Sequence, residues 1–309
     1  MIGIQLKGRL GNQMFQYAAA RTLAERLGCG LLVAGKTPTR RFGLAGHFLK
    51  FDERPPHTGL RQNGLVHEAF GCGPSFLEGR IVETSLPWLR RKYFRHMFSP
   101  RMSDFGPDES YEEFDARFFD QRPGTWLEGL YQSARYFSED AHKVRNWFRA
   151  RPIDAEKIDV IMRTWPSPPA SMAALHVRRG DYAYSSGVIS GSGTGWLLPL
   201  SYYRDALNRI PTDAGLAVFS DDPDWAAEQF KDRKVWVSRG NSSAVDMMLM
   251  AKCRWVVTAN SSFSWWAGWL NSHREKRIFA PEFLLGFRIG KWVPQGIAVD
   301  EWEYLTVAC

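Results

Sequence analysis

The stretch MAALHVRRGDY, residues 172–182, joins an apolar run to a charged turn. Five of its first six residues are apolar, a pattern typical of a strand that is covered on both faces in a parallel sheet. Gly180 allows the chain to bend, so that Arg178 and Arg179 come at the end of the strand. Because side chains alternate along a strand, we expect His176 and Arg178 on one face and Arg179 on the other.

Short apolar runs alternate with helical stretches along the rest of the second half. Further strands are predicted at residues 216–220, 234–238, 254–259 and 277–281, and helices at 201–210, 224–230, 244–253 and 264–270. This order is typical of a parallel sheet covered by helices, a Rossmann-like domain. Since ligands of such sheets bind beyond the carboxyl ends of the strands, polar residues that follow strands form the candidate site.

The first of these strand ends carries Arg178. A guanidinium at the mouth of a sheet can grip a diphosphate with paired hydrogen bonds. The alternative is structural: an ion pair between Arg178 and Asp181 that closes the turn. Both interpretations stay open on the sequence.

The second strand end is FSDDPDW, residues 219–225. Carboxylates at this place can accept hydrogen bonds from a base or a ribose, which makes Asp221 and Asp222 candidate ligands. The spacing of Asp222 and Asp224 also suits a divalent cation. We favour a capping role for Asp224, because it stands at the start of a predicted helix.

The third strand end is TANSSFSWWAGWL, residues 258–270. Asn260, Ser261 and Ser262 can cap the following helix, and the N–H groups of its first turn favour an anion. Capping needs only one such residue, so the additional Ser264 indicates a ligand. The tryptophans of this stretch are interpreted as core and interdomain packing in preference to a platform for sugar stacking: Trp265, Trp266 and Trp269.

Near the N-terminus, GRLGNQMFQYAAAR at residues 8–21 follows a short strand and predicts a helix. The helix is indicated by apolar residues at intervals of four and by a glycine stop: Phe15, Ala19, Leu23, Leu27 and Gly28. Asn12 stands where an N-cap is expected. Gly8 and Gly11 either permit a tight turn or, together with Arg9, form an anion or sugar site at the start of the helix.

Length and composition favour two domains. A chain of 309 residues with 44% hydrophobic content suffices for one large or two ordinary domains. Prolines at positions 166, 168 and 169 stop a helix and extend the chain before the apolar run 172–177. We therefore place an N-terminal domain at residues 1–170 and a C-terminal domain at residues 171–281.

Cysteine usage and hydropathy favour a cytoplasmic protein. The four cysteines contain no C-x-x-C pair, so neither a zinc knuckle nor a disulfide framework is indicated. No run approaches the roughly 20 apolar residues of a membrane span, and no signal-peptide pattern is present. Part of the net charge of +7 lies in WLRRKYFRHMFSPR, residues 88–101. This stretch suits an anionic membrane or nucleic acid, or forms an ordinary solvated helix face.

Together, GRLGNQMFQYAAAR, HVRRGDY, VFSDDPDW and NSSFSWWAGWL, in this order, resemble the alpha-1,2-fucosyltransferase family, glycosyltransferase family 11, over nearly the whole chain. The resemblance implies an α/β fold of the GT-B type with two facing Rossmann-like domains and parallel sheets. It assigns acceptor binding to the N-terminal domain and GDP-fucose to the C-terminal one, with residues 282–309 packing back on the N-terminal domain. It also implies inversion at the fucose anomeric carbon without an essential metal or other cofactor.

The same resemblance implies roles for individual residues. Arg178 is expected to neutralise the β-phosphate as GDP leaves. His176 and one of Asp221 and Asp222 resemble guanine contacts. The donor site is completed by Asn260, Ser261, Ser262 and Phe263, and by Arg9, Gly11, Asn12 and Gln13 of the N-terminal loop.

The general base is left open. Relatives with alpha-1,6 specificity carry a glutamate eight residues after the phosphate arginine, where this chain has Ser186. Asp181 is a candidate by position, although an ion pair with an arginine is an equal alternative. Asn12 can instead orient the nucleophile if leaving-group stabilisation dominates the barrier.

The implied function is transfer of L-fucose from GDP-β-L-fucose to the 2-hydroxyl of a terminal β-galactoside in bacterial surface-glycan synthesis. The acceptor glycan is expected to be lipid-linked, and the enzyme is expected to meet it at the inner membrane. Residues 88–101 are expected to aid contact with that membrane. Acceptor specificity is assigned to residues 40–79. No nucleic-acid partner is expected. The alternatives are a fucosyltransferase of another linkage or GDP-sugar, and a non-catalytic carbohydrate-binding protein.

Overall fold

The computed structural model describes residues 2–6, 8–35, 65–68, 101–103, 114–183 and 195–308. The chain divides into two compact units, residues 1–149 and 150–309. Among the described residues each unit contains one sheet, mainly parallel in the first unit and parallel throughout in the second.

The first unit contains a five-stranded sheet and a long buried helix. Its described strands and α-helices are β1 (Ile2–Leu6), α1 (Leu10–Arg26), β2 (Leu31–Gly35), β3 (Leu65–Glu68), β4 (Arg101–Ser103), β5 (Trp126–Glu128) and α2 (Ala141–Trp147). The strand order is β3-β2-β1-β5-β4, with only the β2–β3 pair antiparallel among these strands. Met14, Phe15 and Ala19 of α1 are fully buried, so this helix is part of the core of the unit.

Helix α1 begins earlier than the sequence predicts. Its N-cap is Arg9, which has extended backbone and makes no side-chain capping hydrogen bond. Asn12 lies inside the helix, where its Oδ1 accepts a hydrogen bond from the Gln132 amide at 2.9 Å, so the prediction of Asn12 as N-cap is wrong. Gly8 has a φ of +76°, and a Cβ there would lie 2.7 Å from the Asn12 amide nitrogen. The tight turn into the helix therefore requires glycine at position 8.

The second unit contains a six-stranded, all-parallel sheet. Its strands are β6 (Met172–Val177), β7 (Gly215–Ser220), β8 (Val235–Val237), β9 (Trp255–Val257), β10 (Arg277–Pro281) and β11 (Glu303–Leu305), in the order β11-β10-β9-β6-β7-β8. Its helices are α3 (Pro152–Met162), α4 (Leu200–Leu207), α5 (Pro223–Gln229), α6 (Ser243–Met250) and α7 (Ser262–Leu270). Each strand and helix predicted for the second half is present, with ends shifted by up to three residues.

The core of the second unit explains its apolar strands. Leu175 and Val218 are fully buried in the sheet. The tryptophans of α7 are buried as well, with exposed fractions of 6% or less: Trp265, Trp266 and Trp269. The Trp265 Nε1 donates a hydrogen bond to the Ile297 carbonyl at 2.9 Å. The interpretation of these tryptophans as core residues is confirmed within this unit.

The division of the chain differs from the predicted boundary at residue 170. Helix α3 packs against α6 of the second unit, and the Arg254 N–H donates to the Pro169 carbonyl at 3.2 Å. The segment 282–309 also belongs to the second unit, because β11 pairs with β10 and Leu305 lies in its core. This corrects the expectation that 282–309 packs on the N-terminal domain: the segment supplies an edge strand of the second sheet.

Replacing Leu305 by alanine removes apolar volume from the core of the second unit. We expect the free energy of unfolding to fall by about 2–5 kcal/mol, measured by urea denaturation followed by circular dichroism. Ile153→Ala is the matched control, since Ile153 is 70% exposed and should change the free energy by less than about 0.5 kcal/mol. A Leu305→Ala protein as stable as the control would contradict the placement of β11 in the core.

Candidate functional site

Three neighbouring strands of the second sheet end in the polar motifs that the sequence singles out. Strands β9, β6 and β7 are parallel neighbours, so their carboxyl ends lie along one edge of the sheet. This edge carries Arg178 after β6, Asp221 after β7 and Asn260 after β9. Ligands of Rossmann-like sheets bind at the same edge.

The Arg178 guanidinium lies between two carboxylates. Its Nη1 is 2.7 Å from Oδ2 of Asp221, and its Nη2 donates a hydrogen bond to Asp181. Its central carbon lies 5.4 Å from the centre of the Tyr182 ring. The Arg178 side chain is only 15% exposed, so these contacts fix its position. The ion pair with Asp181 that the sequence allows is present.

Arg179 has a separate set of partners. Its Nε donates to Oδ2 of Asp222 at 3.0 Å, and its guanidinium lies 3.7 Å from the centre of the Trp225 ring. Asp222 also caps helix α5, because its Oδ1 accepts the Trp225 N–H at 3.4 Å. The prediction of Asp224 as N-cap is therefore wrong. Asp224 lies in the first turn and pairs with Arg239 at 2.7 Å.

His176 is buried beside the start of helix α7. It is 5% exposed, and its ring centroid lies 5.1 Å from that of Phe263. Its Nδ1 is buried without a hydrogen-bond partner among the described residues. Burial lowers the pKa of His176 to about 4, and the Asp221 carboxylate opposes this shift only in part. At pH 7 the imidazole is therefore neutral, with one ring nitrogen as donor and the other as acceptor.

Asn260 connects the turns that follow β6 and β9. The Tyr182 hydroxyl donates to the Asn260 carbonyl at 3.2 Å, and the Asn260 amide donates to the Trp196 carbonyl at 2.8 Å. The rings of Tyr182 and Trp196 meet edge to face, with centroids 5.4 Å apart. Asn260 is 1% exposed, so its amide has a structural role in addition to the predicted role in binding the donor substrate. No sequence pattern singles out Tyr182 or Trp196, although Tyr182 ends the motif HVRRGDY.

The serines after β9 have distinct environments. Ser261 is the N-cap of α7, and its Oγ accepts the Phe263 N–H at 3.3 Å. Ser262 is the first residue of the helix and is half-buried. Ser264 is fully buried, where its hydroxyl accepts the Ala259 N–H at 3.1 Å and donates to the Ala259 carbonyl at 3.3 Å. The interpretation of Ser264 as a sign of a ligand is therefore wrong, because it satisfies backbone groups of its own turn.

The N-terminal motif forms a strand-to-helix turn in the first unit. Arg9 is exposed, Asn12 is half-buried, and Gly11 and Gln13 are buried. The Gln13 Nε2 donates to the Gly8 carbonyl at 2.9 Å. These contacts agree with the turn-forming interpretation, and the donor-binding role of the motif stays a prediction.

A further polar cluster, not predicted from the sequence, follows β8. Ser238 donates to Asp246 of α6 at 2.5 Å, and Asn241 donates to Ser238 at 3.0 Å. Burial raises the pKa of Asp246 to about 6, against the opposing hydrogen bonds of Ser238 and Asn241 and the charge of Lys157. The available signal was the run SRGNSS, residues 238–243, which follows a predicted strand as the other site motifs do.

Some predicted features lie outside the described residues. These are Ser186, all side chains of the basic stretch 88–101, and the side chains of the acceptor segment 40–79. In the described part of the chain no helix has the length and apolarity that a membrane crossing requires. Metal-independent transfer and contact with the inner membrane stay predictions.

The sequence model of Glycosyl transferase family 11 matches residues 109–304. This match covers more than half of the chain, and the chain belongs to this family. The family that the motifs resemble is thereby confirmed, and the protein is a glycosyltransferase.

Two curated relatives come from Escherichia coli. The chain is 27% identical to the O-antigen biosynthesis glycosyltransferase WbnK over 299 residues, which cover 89% of this chain and 92% of that one. It is 32% identical to an alpha-1,2-colitosyltransferase over 292 residues, which cover 90% of each.

Among solved structures, NodZ alpha-1,6-fucosyltransferase in crystals soaked with GDP-fucose aligns with a TM-score of 0.50 at 18% identity. The alignment covers 87% of this chain and 92% of that one. This likeness concerns the fold, and it confirms the predicted α/β fold of the GT-B type.

The buried imidazole of His176 predicts a pH dependence of stability. Its pKa of about 4 in the folded protein lies below the roughly 6.5 of an unfolded chain, so the unfolded state binds the proton first as the pH falls. The stability contribution is present above pH 6.5 and is lost towards pH 4. Between pH 7 and pH 5 we expect the wild type to lose about 2 kcal/mol more than His176→Gln, measured by urea unfolding.

The difference in pH dependence between the wild type and His176→Gln reports the contribution of His176 alone. Asp246, whose raised pKa acts in the opposite direction, is common to both and cancels. Equal pH dependence in the two proteins would contradict a neutral, buried His176.

Proposed function

We propose that this chain transfers L-fucose from GDP-β-L-fucose to the 2-hydroxyl of a terminal β-galactoside on a bacterial surface glycan. Membership of family 11 makes it a glycosyltransferase. The relative named for O-antigen biosynthesis supports a bacterial glycan as acceptor, and the alpha-1,2-colitosyltransferase supports the linkage. We place the reaction in the cytoplasm at the inner membrane, where a lipid-linked acceptor meets the enzyme and residues 88–101 aid contact.

The observation that carries the proposal is the placement of Arg178. The side chain is mostly buried at the carboxyl edge of the second sheet, where two carboxylates orient it. Through Tyr182 and Asn260 the same turn is joined to the start of α7. Ser261 and the N–H groups of the first turn of α7 are suited to phosphate oxygens. A fixed guanidinium in a turn that is hydrogen-bonded to a helix start is a fitting site for a diphosphate.

The proposed reaction is a single displacement. The acceptor oxygen forms a bond to the anomeric carbon on the face opposite GDP, while the bond from that carbon to the β-phosphate oxygen breaks. The electron pair of the broken bond goes to the phosphate, and Arg178 stabilises the charge that develops there. No metal ion is required in this scheme, because the guanidinium and the helix N–H groups supply the positive charge.

The acceptor hydroxyl also has to lose a proton. Asp181 is the candidate base, since its carboxylate is 49% exposed and lies in the turn of Arg178. Asn12 is assigned to orienting the acceptor hydroxyl. Arg9, Gly11 and Gln13 are assigned to the donor on the family resemblance.

The first test is release of GDP from GDP-fucose with lactose as a terminal β-galactoside. We expect lactose-dependent release that is unchanged by EDTA. Arg178→Ala should lower kcat/KM by about 100-fold or more, because it removes a donor aimed at the leaving group.

The outcomes of this assay separate the alternatives. GDP binding without turnover on any galactoside would refute the acceptor assignment. Absence of both GDP binding and turnover would instead favour a carbohydrate-binding protein.

A second candidate donor is GDP-colitose, since the chain is 32% identical to an alpha-1,2-colitosyltransferase. Colitose lacks one ring hydroxyl that fucose carries. A site built to bind that hydroxyl discriminates strongly against the analogue that lacks it, because its polar groups are left unpaired. We expect kcat/KM for GDP-fucose to exceed that for GDP-colitose by at least about tenfold, in competition assays with one acceptor. The opposite preference would establish the colitosyl donor.

A further inference from the structure

We infer that Asp221 is a positioning residue for Arg178 and not a contact of the guanine base. The inference rests on the proposed function, which assigns Arg178 to the β-phosphate. It departs from the role that the family resemblance allows for Asp221, and His176 stays a candidate contact of the base.

Both oxygens of Asp221 are directed at the turn after β6. Oδ1 accepts the backbone N–H of Arg179 at 2.8 Å, and Oδ2 is 2.7 Å from Nη1 of Arg178. One carboxylate therefore fixes the backbone of one residue and the guanidinium of its neighbour. Recognition of guanine would require the same two oxygens to face the ring N–H and the exocyclic amine side by side.

Gly180 supports this orientation of the carboxylate. A Cβ on Gly180 would lie 2.5 Å from Oδ2 of Asp221, closer than non-bonded carbon and oxygen atoms approach. Gly180 is not among the glycines with positive φ, so its backbone is open to other residues. The need for glycine comes from the Asp221 carboxylate, which packs directly on the turn.

The two carboxylates hold Arg178 in different ways. Asp181 belongs to the same turn and is 49% exposed, whereas Asp221 comes from the neighbouring strand and is 26% exposed. A contact from the neighbouring strand fixes the guanidinium relative to the sheet. Asp181 is thus the partner that a phosphate oxygen can replace, and Asp221 is the one that stays.

Three nucleotides distinguish the two roles of Asp221. IDP lacks the exocyclic amine of guanine, so the ratio of GDP to IDP affinity reports contact with the base. GMP lacks the β-phosphate, so the ratio of GDP to GMP affinity reports contact with that phosphate. Each affinity is measured by isothermal titration calorimetry on the full chain, and no acceptor is needed.

For Asp221→Asn we expect about tenfold or greater loss of GDP affinity. GMP affinity should stay within about twofold, and the ratio of GDP to IDP affinity should be unchanged. In an Arg178→Ala background, Asp221→Asn should have no further effect, because its effect passes through Arg178. Gly180→Ala should give the pattern of Asp221→Asn, because its Cβ displaces the same carboxylate.

Asp224→Asn is the matched control. Asp224 also pairs with an arginine, but its side chain is 87% exposed, and nucleotide affinities should not change. A fall in the ratio of GDP to IDP affinity for Asp221→Asn, or a full effect in the Arg178→Ala background, overturns the inference and leaves the proposed function intact. A folded wild type that does not bind GDP overturns both. If circular dichroism shows that Asp221→Asn is unfolded, the ratios of GDP to IDP and of GDP to GMP affinity measured for Gly180→Ala decide between the two roles of Asp221.

Discussion

The contact between Arg178 and Asp221 joins the ends of two neighbouring parallel strands, and the polar edge of the second sheet depends on it. A guanidinium that is only 15% exposed would be costly to leave unpaired, because its charge has lost most of its hydration. The two arginines after β6 face three carboxylates, which leaves one formal negative charge in excess. In the proposed function, a diphosphate therefore has to take over donors from a carboxylate, because this edge offers no excess of positive charge.

The turn after β9 shows how the rest of this edge is held in place. The side chains of Asn260 and Ser264 form hydrogen bonds with backbone atoms of nearby turns. These bonds hold the start of α7 in one geometry before any ligand arrives. A binding site whose residues are locked by such supporting contacts loses little freedom on binding. The neutral His176 extends the same edge without adding charge.

The sequence predicts the second sheet well and the helix starts less well. Strands β6 and β10 have the predicted bounds because all but one residue of each is apolar and buried, the exceptions being His176 and Arg277. The N-caps of α1 and α5 lie two or three residues before Asn12 and Asp224. The start of a helix depends on which residue leaves the helical backbone: Arg9 does so without a side-chain capping bond, and before α5 both Asp222 and Asp224 are chemically able to cap.

Features that depend on distant parts of the chain are missed for a different reason. Strand β11 has three residues, too few for a periodic pattern, and is defined by its pairing with β10. Tyr182 and Trp196 become part of the candidate site only because Asn260, from another strand, bonds to both. The roles of Ser261 and Ser264 also separate only when their hydrogen bonds are known.

The sequence by itself determined the parallel α/β architecture, the family, and the three strand ends at which polar residues gather. Hydrophobic periodicity and short motifs are local properties, so they can be read without knowledge of the fold. Only the tertiary structure decided which of those polar residues meet, that Asp221 orients Arg178, and that 282–309 completes the second sheet. These are contacts between residues far apart in the chain, and their geometry is set by the order and register of the strands.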